Sequence, residues 1–268
     1  MLKIITITSA CLALMLTACS KEQTTQPIQS DVDNTTEHNQ TLRIAAAANL
    51  SDVLPEIIAG YKKDKSLPAQ EIEVTYASSG KLYAQIISGA PYDIFLSANQ
   101  EFPAKLAKEK LDNLKSVDIT TYQPFTYTQG QLALYSTTKS LQGLNPTALN
   151  ELLMNESDSK ITIANPELAP YGQSAQAYLQ AQNIFDTLTE QNRIIQAENI
   201  GQAFQYAHTG NVDYGFVAQS QLTAIKATPE QFYTLAPDSY PAILQDGIVL
   251  SDATAATDFS NYLRAPAG

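Results

Sequence analysis

The chain has 268 residues, and its 16 Lys and Arg against 27 Asp and Glu give a formal net charge of −11. With 44% hydrophobic and 16% charged residues, the composition is typical of a globular protein and not of a disordered one. The negative charge disfavours nucleic acid and anionic membrane surfaces as partners. Two His and two Cys leave little material for a metal site or a histidine-based enzyme, so the composition favours a soluble binding protein over a catalyst.

The N-terminus has the features of an export signal. Lys3 supplies a short positive end, and residues 4–16 form an apolar run that is too short to span a bilayer comfortably. A small residue precedes Cys19 at the end of this run, which resembles a bacterial lipobox. That resemblance implies a signal peptide over residues 1–18 and lipidation of Cys19 after cleavage. An ordinary cleaved signal with a chance cysteine is the alternative.

Residues 19–40 are rich in Thr, Gln, Asn, Asp and Glu and contain hardly any apolar side chain. Such a segment cannot bury apolar surface, so we expect a flexible, lipid-anchored tether here. The resemblance to a lipobox thus places the protein in the cell envelope, on the periplasmic side, held to the membrane only through Cys19.

From residue 41 onward, predicted strands and helices alternate in two halves. In the first half the patterns predict strands at residues 42–48, 72–76 and 93–97. Helices are predicted between them, at residues 54–61 and 82–86. The second half continues with elements at residues 132–135, 149–153, 161–164, 178–179, 194–195, 204–207 and 214–217. A final strand at 248–250 and a final helix at 259–263 follow it. This alternation predicts an α/β fold with mostly parallel sheets covered on both faces. Two such halves in an exported chain favour a two-lobed solute-binding protein.

Four predicted helices begin with similar residues, in the segments 49–51, 78–80, 170–174 and 198–202. In parallel α/β sheets such turns gather at the carboxyl ends of the strands, where ligands bind. A helix N-terminus presents unpaired N–H groups and a partial positive charge. Several helix starts that converge would therefore bind an anion without any cation. For each turn taken singly, plain N-capping is the alternative.

Short segments of the body share their order and spacing with one known family. They are AAAAN at residues 45–49, SSGKLYAQI at 78–86, GAPYDIFLSA at 89–98, ANP at 164–166, APYG at 169–172, NI at 199–200, QA at 202–203 and GFVA at 215–218. In these segments the chain resembles the molybdate-binding proteins of molybdate ABC importers. The likeness runs from Leu42 almost to the C-terminus.

The resemblance implies a type II periplasmic binding protein fold, in which two crossovers join two lobes around the ligand. Lobe one would comprise residues 41–126 and 240–268, and lobe two residues 127–239. The implied ligand is molybdate, and tungstate with it, so the molybdenum is bound as an oxyanion and not as a cation. The implied partner is the membrane permease of the importer, and we expect a monomer without a cofactor. Family members usually continue past the position of Gly268 through a last helix, so either the sequence is truncated or that helix is missing.

The resemblance also implies which residues hold the oxyanion. Asn49 and Ser79 would contribute from lobe one, through an amide or backbone N–H and a hydroxyl. Tyr171 and the backbone N–H of Ile200 would contribute from lobe two. One branch of the family has Ser at the position of Asn49 and Tyr at the position of Ala218. This chain is similar to the other branch, with Asn in the first ligand loop, and Ala218 is excluded as a side-chain ligand.

Two alternatives compete with the molybdate hypothesis. The first is a binder of another oxyanion, such as sulfate or phosphate. Phosphate retains a proton near pH 7 and would favour a pocket with an acceptor, whereas a deprotonated dianion suits a pocket of donors only. The second is an envelope hydrolase built on Ser174 and His208, although the segment around Ser174 lacks the second glycine of a nucleophile elbow.

Overall fold

Two five-stranded mixed sheets, each flanked by helices, make up the computed structural model, which describes residues 41–113 and 122–265. The alternation of strands and helices predicted from the sequence is confirmed, and the fold class is α/β. The predicted signal peptide, the predicted tether and Cys19 lie outside the described residues.

The first sheet has the strand order β2-β1-β3-β10-β4. Its strands are β1 (Leu42–Ala47), β2 (Ile72–Ala77), β3 (Ile94–Leu96), β4 (Phe125–Gly130) and β10 (Ile243–Val249). Its helices are α1 (Leu54–Asp64), α2 (Ser79–Ile87), α3 (Glu101–Asn113) and α9 (Thr254–Leu263). Successive side chains of β1 point to opposite faces: Ile44 packs in a cluster with Tyr61 of α1 and Phe259 of α9, whereas Ala45 packs in a cluster with Leu82 of α2.

The second sheet has the strand order β7-β6-β8-β5-β9. Its strands are β5 (Leu132–Tyr135), β6 (Ile161–Ala164), β7 (Ile194–Ala197), β8 (Tyr214–Ala218) and β9 (Phe232–Thr234). Its helices are α4 (Pro146–Asn155), α5 (Pro170–Ala181), α6 (Phe185–Glu190), α7 (Ile200–His208) and α8 (Gln219–Ala224). Leu134 packs on the side of α4 and α5, and its neighbour Tyr135 packs against Phe204 of α7, so helices cover both faces.

The chain passes from the first sheet to the second between β4 and β5 and returns between β9 and β10. The predicted lobe boundary between residues 126 and 127 falls within β4, whose pairing with β10 extends to Gly130. Gly130 and Leu132 are separated by a single residue, so the first crossover is short.

Each sheet is less parallel than the sequence analysis predicted. In the first sheet β1 pairs parallel with β2 and β3, while β10 pairs antiparallel with β3 and β4. The second sheet repeats this pattern, with β5 antiparallel to β8 and β9. The patterns missed β4 and β9 because both are edge strands with partly exposed side chains, which lack the continuous apolar run of a buried strand.

Four parallel strands end at the start of a helical turn. β1 leads into a short 3-10 helix at Ala48–Leu50, and β2 leads into α2. In the second sheet β6 leads through a short loop into α5, and β7 leads into α7. The turns selected from the sequence are therefore the connections at the carboxyl ends of the parallel strands.

Candidate functional site

The structure brings the four turns together around one small pocket. The lining residues come from both sheets and carry no charged side chain: Ala47, Ala48, Asn49, Ala77, Ser78, Ser79, Ala98, Ala169, Pro170, Tyr171, Asn199 and Ile200. All four residues proposed as oxyanion ligands from the sequence are in this set. Ala218, which the sequence analysis excluded as a ligand, is not.

Three helices begin at the pocket and leave the N–H groups of their first turns without helical partners. In α2, α5 and α7, the first backbone hydrogen bond runs from the N–H of the fourth residue after the N-cap to the carbonyl of the N-cap residue. The nitrogen–oxygen distances are 3.1, 3.0 and 3.0 Å, respectively. The N–H groups that precede these donors have no acceptor within their own helix, and each helix start carries a partial positive charge. Because no lining side chain is charged, the pocket can attract an anion by dipoles and hydrogen-bond donors alone.

Asn49 lies in the 3-10 helix that follows β1 and is 3% exposed. Its side-chain nitrogen donates to Oε1 of Gln245 over 3.0 Å. Its buried Oδ1 has no hydrogen-bond partner among the described residues. An unpaired buried acceptor costs about 1–3 kcal/mol, and a deprotonated oxyanion has no proton to offer this oxygen. Since the side-chain nitrogen is bonded to Gln245, the donor that Asn49 has left for the pocket is its backbone N–H.

Ser79 is the first residue of α2 and is 1% exposed. Its Oγ accepts a hydrogen bond from the backbone N–H of Ala98 over 2.9 Å, which leaves the hydroxyl proton available for another acceptor. The preceding residue, Ser78, is also buried and lines the pocket, and its Oγ has no partner within the described part of the chain. Ser78 belongs to the helix start predicted at residues 78–80, but it was not among the predicted ligands.

Tyr171, in the first turn of α5, reaches across to the first sheet. Its hydroxyl accepts a hydrogen bond from Nε2 of Gln245 over 3.1 Å. A Cβ atom added to Gly130 would lie 2.3 Å from the Tyr171 hydroxyl and 2.6 Å from Nε2 of Gln245. Only glycine at position 130 leaves room for this contact.

Ile200 begins α7, and its side chain is buried. The N-cap residue Asn199 accepts a hydrogen bond from the N–H of Gln202 over 3.0 Å, and the carbonyl of Ile200 accepts one from Gln221 over 3.3 Å. The backbone N–H of Ile200 is therefore the polar group that this residue can offer to the pocket, as the sequence analysis expected.

Two more contacts join the two halves beside the pocket. The N–H of Gly80 in α2 donates to the carbonyl of Leu168 over 2.9 Å. Lys81 and Glu198 form a partly exposed salt bridge between α2 and the turn before α7. These pairs and Gln245 could not be predicted from the sequence, because no local pattern connects residues 74 to 196 positions apart.

Ser174 and His208 do not form the nucleophile–base pair that a hydrolase would need. The hydroxyl of Ser174 donates to the carbonyl of Pro241 over 3.3 Å, and Nδ1 of His208 lies 2.9 Å from the hydroxyl of Tyr135. Each residue thus has its own partner, and His208 is exposed at the end of α7.

Within residues 41–113 and 122–265, no group of three or more His, Cys, Asp or Glu side chains is arranged to hold a metal ion. Over the same residues, no helix is both long and apolar enough to cross a membrane.

Two phenols beside the pocket remain neutral over a wide pH range. Burial raises the pKa of Tyr171 well above its usual 10.0, and the hydrogen bond from Gln245 only partly offsets this effect. Burial likewise raises the pKa of Tyr127, and Tyr171 and Asp246 add to the shift. At neutral pH both hydroxyls therefore carry protons and can act as hydrogen-bond donors.

Comparison with known proteins places this geometry among extracytoplasmic binding proteins. The sequence profile of the family described as "Bacterial extracellular solute-binding protein" matches residues 42–268. The "Molybdate-binding protein ModA" of Azotobacter vinelandii is 30% identical over 232 residues, with 84% of each chain covered. The "Putative ABC transporter substrate-binding lipoprotein YvgL" of Bacillus subtilis is 29% identical over 254 residues, with 94% of this chain and 88% of the relative covered.

Among solved structures, the periplasmic molybdate-binding protein of Azotobacter vinelandii matches with a TM-score of 0.73 at 29% identity. The match covers 84% of this chain and 93% of that structure. Together with the two mixed sheets, this match confirms the predicted type II periplasmic binding protein fold with two lobes.

The raised pKa values predict how stability depends on alkaline pH. Below pH 10 both folded and unfolded tyrosines are protonated, so we expect no effect on the unfolding free energy. Above pH 10 the unfolded chain loses phenolic protons that Tyr127 and Tyr171 retain in the folded state. The unfolding free energy should then fall by up to about 1.4 kcal/mol per pH unit for each such tyrosine.

Urea denaturation followed at a series of pH values, together with tyrosinate absorbance of the folded protein, measures both quantities. The Tyr171→Phe variant is the control and should lose stability less steeply above pH 10. Complete ionisation of all tyrosines near pH 10 without unfolding would contradict the prediction.

Proposed function

This chain belongs to the molybdate-binding family of bacterial extracellular solute-binding proteins, and from that membership we propose that it captures molybdate, and tungstate with it, for an ABC importer. The observation that carries the proposal is the pocket itself, where three helix starts and a 3-10 turn converge without a charged lining side chain. The relatives named as molybdate-binding support the identity of the anion.

The donor set fits a tetrahedral oxyanion that is fully deprotonated at neutral pH. Ser79 has a hydroxyl proton to donate, and so does Tyr171, because each hydroxyl already accepts a hydrogen bond from a neighbour. Ile200 contributes a backbone N–H at the start of α7, and Asn49 contributes its backbone N–H at the end of β1. Molybdate and tungstate carry the same charge and shape, so this set does not distinguish them.

We propose that binding closes two lobes around the anion. The sheet memberships support the division into lobe one, with residues 41–126 and 240–268, and lobe two, with residues 127–239, except that β4 extends lobe one to Gly130. Because the proposed ligand residues lie on both lobes, the anion stabilises the closed form more than the open form and shifts the population toward it.

Titration calorimetry with molybdate, tungstate, sulfate and phosphate tests the identity of the ligand. We expect binding of molybdate and tungstate and, at about 100 times the dissociation constant, an added stability of roughly 2.7 kcal/mol. Thermal melts and solution scattering of the same samples should show a higher melting temperature and a more compact protein. A response to sulfate or phosphate but not to molybdate would assign the protein to another oxyanion.

The Asn49→Asp variant tests the lobe-one part of the site. Asp is nearly the same shape as Asn, so the fold should be retained, with some loss of stability because a buried carboxylate cannot replace the bond that Asn49 donates to Gln245. In the pocket, however, a carboxylate would replace the amide beside a dianion, and it would also face the oxygen of Gln245. At about 4 Å and an effective dielectric of 20, one pair of unit charges costs roughly 4 kcal/mol. After allowance for side-chain movement we expect molybdate affinity to fall at least about 100-fold.

The matched control is Asn145→Asp, since Asn145 caps α4 with its side chain and lies outside the pocket. Calorimetry should show unchanged molybdate affinity for this control, and thermal melts should show that both variants fold. Normal folding of Asn49→Asp with unchanged affinity would reduce Asn49 to a structural residue.

We further propose that Cys19 anchors the protein by a lipid on the periplasmic side of the membrane, where it delivers its ligand to a permease as a monomer. The similarity to a relative named as a substrate-binding lipoprotein supports this proposal. Mass spectrometry of the N-terminal peptide from cells should show a lipid-modified Cys19, and Cys19→Ala should release the protein from the membrane fraction. A soluble protein with an unmodified cysteine would contradict the anchor.

A further inference from the structure

We propose that Gln245 is a positioning residue of the anion site: its side-chain amide holds the Tyr171 hydroxyl so that the phenolic proton is free for the anion. This inference rests on the proposed function, and none of the sequence motifs includes Gln245. The residue is 1% exposed and lies on β10 of the first sheet.

A bulge in the first sheet lies opposite Gln245. The pairing of β10 with β4 shifts between Gln245, opposite Thr128, and Asp246, opposite Thr126. Tyr127 is therefore an extra residue on β4, and bulges are common beside functional sites. Gln245 and Asp246 are both buried on β10, which is an inner strand of the sheet between β3 and β4.

The contacts of the amide oxygen determine which way the amide points. Oε1 of Gln245 accepts from the side-chain nitrogen of Asn49 over 3.0 Å. The hydroxyl of Tyr127 lies 3.1 Å from the same oxygen, but it shares its single proton with the carbonyl of Ser97, which is nearer at 2.8 Å. Asn49 is therefore the main donor that orients the amide. The amide nitrogen is thereby directed toward Tyr171.

The amide nitrogen of Gln245 makes the Tyr171 hydroxyl an acceptor in the bond between them. Nε2 of Gln245 donates to the Tyr171 hydroxyl over 3.1 Å. A phenol that accepts this bond keeps its single proton for a different acceptor, and Tyr171 lines the pocket. If the amide pointed the other way, its oxygen would take the phenolic proton and Tyr171 could not donate to an anion.

The contact between Gln245 and Tyr171 depends on the absence of a side chain at Gly130. A side chain at position 130 would collide with both partners, at 2.3 Å from the Tyr171 hydroxyl and 2.6 Å from Nε2 of Gln245. The strand β4 thus leaves space at Gly130 for the bond between Gln245 and Tyr171.

A double-mutant cycle with molybdate in titration calorimetry tests the proposal, using wild type, Gln245→Met, Tyr171→Phe and the double variant. Methionine is similar in length to glutamine but cannot donate to the phenol. We expect Gln245→Met to lower molybdate affinity about tenfold in the wild-type background, which corresponds to about 1.4 kcal/mol. In the Tyr171→Phe background the same substitution should change affinity less than about threefold, because the group it positions is gone.

Two further variants separate positioning from general damage to the fold. Gln129→Met changes an exposed glutamine on β4 and should leave affinity unchanged. Tyr127→Phe keeps the aromatic ring but removes the hydroxyl that shares its proton between Oε1 of Gln245 and the carbonyl of Ser97. It should weaken binding less than Gln245→Met does, and only when Tyr171 is present. This second variant keeps the test decisive if Gln245→Met does not fold.

Equal losses from Gln245→Met in both backgrounds, or no loss in either, would overturn the positioning role while leaving the proposed function intact. Wild-type protein that fails to bind molybdate would contradict the proposed function and the role of Gln245 together. A Tyr171→Phe variant with wild-type affinity would also overturn the proposal, because Tyr171 would then not be a donor to the anion.

Discussion

The backbone N–H groups in the first turn of a helix have no acceptor within that helix, and the arrangement of this protein depends on that constraint. Three helices and one 3-10 turn begin at the carboxyl ends of parallel strands and point their first turns at one small pocket. Buried donors need acceptors. Since the lining side chains are all uncharged, an anion is the ligand that satisfies this set. The negative charge of the whole chain and an anionic ligand are therefore compatible.

The residues around the pocket also bond to one another. Ser79 accepts from a backbone N–H, and Tyr171 accepts from Gln245, so each hydroxyl is held in place with its proton available. Gly80 and Lys81 bond to residues of the second half on either side of the pocket. Fixed donors lose less entropy when the ligand arrives than mobile ones would, which favours affinity.

Much of this arrangement could be predicted from local patterns. The buried strands β1 and β6 are continuous apolar runs, and the turns after the strands contain Asn and Ser at positions typical of helix starts. The order of these segments also indicated the family. By contrast, β4 and β9 gave no such signal, because an edge strand with one exposed side does not need an apolar run. Both of these strands pair antiparallel with their neighbours, so the sheets are mixed and not mostly parallel as predicted.

The sequence by itself determined the alternation of strands and helices and the four turns, because each depends on side chains close together in the chain. The candidates Asn49, Ser79, Tyr171 and Ile200 came from the resemblance to the family. Only the tertiary structure decided that β10 lies between β3 and β4 and that Gln245 lies between Asn49 and Tyr171. Gln245 is 196 residues from Asn49 and 74 from Tyr171. Sheet pairing and burial set that contact, and no local spacing in the sequence encodes it.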